Sequence, residues 1–264
     1  MKPAPFEYER PSTIDGVAEL LADNNIFNRV LAGGQSLGPM LNLRLAQPER
    51  LIDITGIPEL KRADRDGDYL TLGACVTHSS LEDGAANGFA YGILESVARG
   101  IACRAVRNRG TIGGSIAHAD PAADWPVVLL ALGAEVTVSS ANEQRHMSLA
   151  EFLRAPFETA LQRGEILTAV HIPSVPQNAR WGYYKFCRMH GHFAETIAGV
   201  FLDPDRGTSR AVIGATEARP TIIETTFTGD NAMEVIEAHI PNADWYQRKL
   251  HGVALKRALE EAGA

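Results

Sequence analysis

Apolar positions recur at helical spacing near the start of the chain, where Val17, Leu20 and Leu21 follow Ser12-Thr13-Ile14-Asp15. That tetrad has the S-x-x-D form of a capping box, so the pattern predicts a first helix over 12–24. A short apolar run, 29–32, is broken by Gly33-Gly34, and 39–45 is again helical in pattern. The reading is strand, glycine turn, helix, followed by a second short strand over 51–54. Arg65-Asp66-Gly67-Asp68 separates two runs, the second being 69–72, and predicts a hairpin. Residues 89–100 and 122–132 read as helices, while 107–115 between them is too rich in glycine for either element. Strands are expected over 135–138 and 166–172.

The pattern changes at Pro173-Ser174-Val175-Pro176-Gln177-Asn178, the best linker candidate. Three strand-like segments follow (181–188, 195–202 and 209–216), then helices near 230–239 and 243–262. A run of strands and then of helices argues for a separate α+β unit after the mixed pattern that precedes it. With 264 residues, two packed units are the expectation.

Composition narrows the class. Forty-five per cent hydrophobic and 22% charged residues suit a globular fold. The net charge is −7 and no basic run occurs, so nucleic acid is not an expected partner. No apolar run is long enough for a membrane helix, and the first five residues lack the apolar stretch of a signal peptide. The expected location is therefore the cytoplasm. Cys75, Cys103 and Cys187 are far apart and make no C-x-x-C pair. They exclude a disulfide framework, a zinc ribbon and an iron–sulfur cluster held by this chain alone.

Chemistry concentrates in two glycine-rich turns. The first is Ala32-Gly33-Gly34-Gln35-Ser36-Leu37, and the second is Gly110-Thr111-Ile112-Gly113-Gly114-Ser115. Glycines let successive N–H groups converge on one oxyanion, so the pair suggests a diphosphate gripped from both sides. No G-x-G spacing and no G-K-[ST] occurs, which excludes the common dinucleotide and P-loop fingerprints. Gly34-Gln35-Ser36-Leu37-Gly38 also fits G-x-S-x-G, the nucleophile elbow of esterases, with Asp124 and His171 or His190 in the required order. Only about 35 residues precede Ser36, too few for the strands such an elbow needs. A catalytically silent nucleotide-binding module is a third reading. His118, Asp120 and Asp124, or His190 and His192, make no complete ligand set, so no metal is expected.

The order of Ala32–Leu37, Leu51–Ile54, Leu72-Gly73-Ala74 with Thr77-His78, Asn108–Asp124, Gly164–Leu167 with Ile172-Pro173, and Tyr184-Lys185 resembles one family. It is similar to the FAD-binding medium subunit of molybdenum hydroxylases, the group of xanthine dehydrogenases and aerobic carbon monoxide dehydrogenases. The similarity runs from Phe6 to the final helix.

The resemblance implies an α+β chain. A two-part FAD domain of the vanillyl-alcohol-oxidase (PCMH) type would span 1–175, in parts of about 1–57 and 58–175. A small C-terminal α+β domain would span 178–262. The FAD diphosphate and ribityl chain would lie between 32–37 and 111–115, held by N–H groups and hydroxyls, with Asp124 on the ribose or adenine side. Ile101 would pack on the cofactor and Leu167 would give a backbone contact. Lys185 would lie near the isoalloxazine, where a cation favours the reduced flavin, and Phe193 would shield the ring face. His192 stands where family members often carry an acidic residue. The chain would relay electrons from [2Fe-2S] clusters of a small subunit, fed by a molybdenum-cofactor large subunit, to an acceptor the sequence does not identify. The implied assembly is a dimer of heterotrimers.

Overall fold

The computed structural model describes residues 2–90, 92–227 and 230–264. Met1, in the expected 1–57 unit, and Tyr91, in the expected helix 89–100, lie outside the described residues. The N-terminal part carries β1 (Glu7–Glu9), α1 (Ile14–Ala22), β2 (Asn28–Leu31), α2 (Leu37–Asn42) and β3 (Arg50–Asp53). Its three strands run parallel in the order β1-β3-β2. The cap of α1 is Thr13, one residue beyond the expected Ser12, and its hydroxyl accepts the Gly16 N–H at 3.1 Å. Val17 of α1 packs with Ile52, Ile54, Ile57 and Leu60. The sequence pattern misses β1 because all three of its residues are exposed; β1 is held by backbone pairing to β3.

A five-stranded antiparallel sheet follows. It contains β4 (Ala63–Asp66), β5 (Tyr69–Gly73), β6 (Glu135–Ser139), β7 (Gln144–Ser148) and, beyond the small β8 (Leu153–Ala155) and β9 (Glu158–Thr159) pair, β10 (Ile166–Pro173). The order is β4-β5-β10-β6-β7. The helices joining these strands are α3 (His78–Glu82), α4 (Ile93–Arg99), α5 (Arg104–Arg107), α6 (Ile112–His118), α7 (Asp124–Ala131) and the single turn α8 (Leu149–Phe152). The glycine-rich stretch 107–115, expected to be irregular, begins helix α6 instead. Its glycines allow close packing: a Cβ on Gly113 would lie 2.4 Å from the Ala74 Cβ. The Thr111 hydroxyl caps the helix by accepting the Gly114 N–H. Every residue of α7 is buried.

The C-terminal part is a four-stranded antiparallel meander of β11 (Arg180–Phe186), β12 (Thr196–Asp203), β13 (Thr208–Gly214) and β14 (Thr221–Glu224), followed by α9 (Ala232–His239) and α10 (Trp245–Ala262). Period-2 alternation splits its two faces. Ile197, Phe201 and Val212 join the core of α7, while Ala198, Val200, Ala211 and Ile213 pack with Leu255, Ala258 and Leu259 of α10. No described helix is long and apolar enough to cross a membrane.

At Gly182 helix α10 rests directly on β11: a Cβ there would stand 1.8 Å from the Ala258 carbonyl oxygen. Gly182→Ala must push the helix off the sheet. Overpacking of this kind costs about 1–3 kcal/mol, so the melting temperature should fall by several degrees. Unchanged thermal unfolding would contradict this packing.

Candidate functional site

The turn between β2 and α2 leaves its backbone donors open. Gly33, Gly34, Gln35, Ser36 and Leu37 donate their N–H groups to no described residue. Gly34 takes φ +71°, and Gln35 and Ser36 are exposed. Five successive open donors on a glycine turn form a concave anion receptor. Ser36 starts α2 without a side-chain cap bond and has no histidine partner among the described residues. One candidate base for an esterase, His171, is held between the Thr71 and Thr137 hydroxyls at 2.9 and 2.6 Å. A serine nucleophile is not assembled here.

The second glycine segment lies against the first. A Cβ on Gly33 would be 2.2 Å from the Arg109 carbonyl oxygen, and one on Gly114 would be 3.7 Å from the Ala32 Cβ. Its donors are mostly in use within the chain. The N–H groups of Gly110, Ile112, Gly113, Gly114 and Ser115 go to Val106 O, Val76 O, Ala74 O, Thr111 Oγ1 and Thr111 O. Ile112 and Gly113 open α6 and are buried, Gly113 against Ala74. Among the described residues of this segment, Thr111 alone keeps an open N–H. Gly114 and Ser115, both half-buried, complete the facing surface.

At the other end of α6, residues expected far apart along a ligand come together. Lys185 Nζ donates to both oxygens of Asp124, at 2.9 and 3.0 Å, and the Tyr183 hydroxyl donates to Oδ1 at 2.6 Å. The Lys185 and Asp124 side chains are only 11% and 8% exposed. Burial, together with the Asp124 carboxylate, holds the Tyr183 hydroxyl well above the usual tyrosine range. The ion pair puts Asp124 and Lys185, expected at the ribose or adenine side and near the isoalloxazine, in direct contact. It also means that Lys185 presents a donor with its charge balanced, where a bare cation was expected.

The remaining expected positions are on the same part of the fold. Ile101 is half-buried against the large core, and its carbonyl accepts from Arg107 Nη1 at 2.9 Å. Arg107 also binds the Ala102 carbonyl and is held by Glu82 at 2.8 Å. Phe193 is 63% exposed on the loop joining β11 to β12, which seats its Gly191 against Ala102. Leu167 is buried on β10, whose pairing with β6 slips between Leu167 and Ala169. Sequence reading missed Tyr183, Arg107 and His78. Tyr183 stands two residues before Lys185, hence on the same strand face, and that spacing was the available signal. His78 starts α3 against Gly110, and the Trp125 indole N–H donates to its Nδ1 at 3.0 Å.

Open N–H groups at one end of α6 and a charge-balanced pair at the other suit a long, phosphorylated cofactor and define a nucleotide-cofactor-binding protein. Comparison with known proteins makes this specific: the chain belongs to the family of the FAD binding domain in molybdopterin dehydrogenase, matched over residues 4–175. It is 36% identical to the 6-hydroxypseudooxynicotine dehydrogenase complex subunit alpha of Paenarthrobacter nicotinovorans, covering 98% of this chain and 91% of that one. It is 32% identical to the carbon monoxide dehydrogenase medium chain of Hydrogenophaga pseudoflava, covering 100% and 99%. The solved carbon monoxide dehydrogenase from that organism, lacking the Mo-pyranopterin moiety, superposes with a TM-score of 0.91 at 30% identity over 100% and 99% of the two chains. The chain is thus an FAD-binding oxidoreductase subunit of the molybdenum hydroxylase type with an α+β fold, and the esterase and silent-module readings find no support.

Two predictions follow from the charges. Lys185→Met leaves the buried Asp124 with the Tyr183 bond alone and should cost about 3 kcal/mol in urea unfolding. Adding Asp124→Asn should recover part of that loss, whereas strict additivity would mean that the pair is not coupled. His78 and His251 are both pushed down to about 4, chiefly by burial. The unfolded chain therefore binds protons that the folded chain refuses as pH falls from about 6.5 towards 4. Stability should be full above that window and decline by roughly 1.4 kcal/mol per pH unit for each histidine within it. Melting curves across pH should lose this slope in the His78→Gln, His251→Gln double variant.

Proposed function

We propose that this chain takes electrons from the [2Fe-2S] clusters of a small partner subunit and passes them to an external acceptor. The clusters would be fed by a molybdenum-cofactor large subunit. The observation that carries the assignment of the binding site is the run of five open N–H groups at 33–37 facing Thr111 and Gly114. The residues fit FAD: the open donors suit its diphosphate, and the missing side chain at Gly114 lets the Thr111 hydroxyl and Ala32 approach it. Bound FAD supplies exchange between one-electron and two-electron carriers. The N–H groups of 33–37 and 111 would bind and orient the diphosphate, with Ser36 and Ser115 supplying hydroxyls. Asp124 would fix Lys185, which keeps a donor for the polar part of the cofactor because an ammonium has three N–H bonds. Arg107 holds the 101–102 turn from which Ile101 would pack on the cofactor, Phe193 would cover the ring, and Leu167 would offer backbone contact.

The same reading divides the chain into an FAD domain over 1–175, in parts of about 1–57 and 58–175, and a C-terminal domain over 178–262. It places the complex in the cytoplasm as a dimer of heterotrimers. Three free cysteines cannot supply the four thiolates of a cluster, and the Cys75 thiol is pushed up to about 12 by burial. The clusters therefore belong to a partner.

Purified as expressed, the chain should show flavin absorbance and release FAD on denaturation. Gly114→Val sets a Cβ 2.7 Å from the Thr111 Oγ1 that caps α6 and 3.7 Å from the Ala32 Cβ, and should abolish FAD retention while near-native circular dichroism persists. A folded Gly114→Val variant with full flavin content would overturn the diphosphate assignment. A wild-type chain that neither carries nor takes up FAD would overturn the electron-transfer reading.

A further inference from the structure

His78 is a histidine with its tautomer fixed and one nitrogen left over. It is 6% exposed. The Trp125 indole can only donate, so its 3.0 Å bond to Nδ1 requires that nitrogen to accept. A neutral ring then carries its proton on Nε2, and burial keeps the ring neutral. That N–H meets no acceptor among the described residues. That nitrogen is not among the enclosed, unpartnered polar atoms, so an otherwise buried ring keeps one donor open to a ligand.

Its surroundings say what the partner is. The Nε2 edge of the ring lies 2.8 Å from where a Gly110 Cβ would be, so it is pressed against the backbone of the second glycine segment. His78 also holds that segment through its own N–H, which donates to the Gly110 carbonyl at 2.9 Å, and Thr77 pairs with Thr111 in an isolated bridge. Gly110 in turn adjoins Gly33, whose Cβ would stand 2.8 Å from the Gly110 Cα. Through Gly110 this donor is linked to the turn 33–37, whose open N–H groups, with that of Thr111, also lack acceptors. Acceptor-rich, anionic oxygens are the shared requirement of all these groups, and a phosphate carries them.

We infer that the His78 imidazole is a neutral hydrogen-bond donor from Nε2 to the phosphate-bearing part of the cofactor, and that Trp125 is the residue that fixes its tautomer. The inference rests on the FAD reading above. It makes His78 a binding residue and Trp125 a positioning residue, with the imidazole and the backbone nest acting on the same phosphate oxygens.

The test titrates FAD, ADP and riboflavin into the full-length apoprotein, following ligand fluorescence or calorimetry. His78→Phe keeps the ring volume and removes the donor; His78→Gln keeps both an acceptor for Trp125 and a donor. The His78→Phe chain should bind FAD and ADP about tenfold more weakly (about 1.4 kcal/mol) with riboflavin affinity unchanged. His78→Gln should recover most of the loss. In the wild-type protein, FAD should move the His78 Nε2–H proton resonance downfield and slow its exchange. Equal FAD affinity in wild type and His78→Phe would overturn the inference while leaving the FAD reading intact. So would a loss in both variants that extends to riboflavin, because that marks a role in folding alone. A wild-type protein that binds no FAD overturns both.

Discussion

The site depends on a close approach of two backbones. At Gly33 a methyl group would come within 2.2 Å of the Arg109 carbonyl oxygen, and at Gly113 within 2.4 Å of the Ala74 Cβ. The first contact brings the β2–α2 turn against the second glycine segment, and the second sets α6 down on the end of β5. No flexible side-chain end could give way at either place, since the atoms met first are a backbone carbonyl and a short Cβ backed by its own backbone. Each glycine is thus required for a distance. The open N–H groups at 33–37 are a consequence: the turn bends away from the sheet before its donors find partners.

Helix α6 then sets the scale of the site. Seven residues at about 1.5 Å rise place its ends roughly 10 Å apart. The turn 33–37 adjoins its first turn through Ala32 and Gly114, and Asp124 opens the next helix along the chain. Asp124 opens α7, which is buried along its whole length and packs against the meander of β11–β14. Lys185 and Tyr183 come from that meander. The C-terminal part is consequently built into the site through α7, and cannot be regarded as an appendage to the FAD-binding family region that ends at 175.

What the sequence made legible follows from where the information is local. The strand–glycine–helix unit at 29–45 and the hairpin at 63–73 could be read because turn chemistry and apolar period lie within a few residues. Residue chemistry located both glycine turns, and the family resemblance gave Asp124 and Lys185 their expected roles. Neither route could show that these two residues bind each other, since 61 positions separate them and their contact exists only through the packing of α7 on the meander. Helix α6 was missed for a different reason. Paired glycines disfavour a helix by propensity, and here tertiary contact with Ala74 selects them for clearance instead. Strand β1 is wholly exposed and has no hydrophobic pattern to detect, and the Ile222-Ile223 pair of β14 is too short to show a period.

The buried charges around the site are matched within the chain: Lys185 by Asp124, and Arg107 by Glu82. His78 and His251 stay neutral. An anionic ligand is therefore met by oriented dipoles whose positions the fold has already fixed. Fixed dipoles distinguish ligands by the position of their oxygens, whereas an uncompensated lysine or arginine would attract any anion in proportion to its charge. Such an arrangement also limits the cost of the unliganded state, since open N–H groups on an exposed turn can be hydrated, while an unpaired buried cation could not. The chain can thus hold this turn formed without a bound ligand.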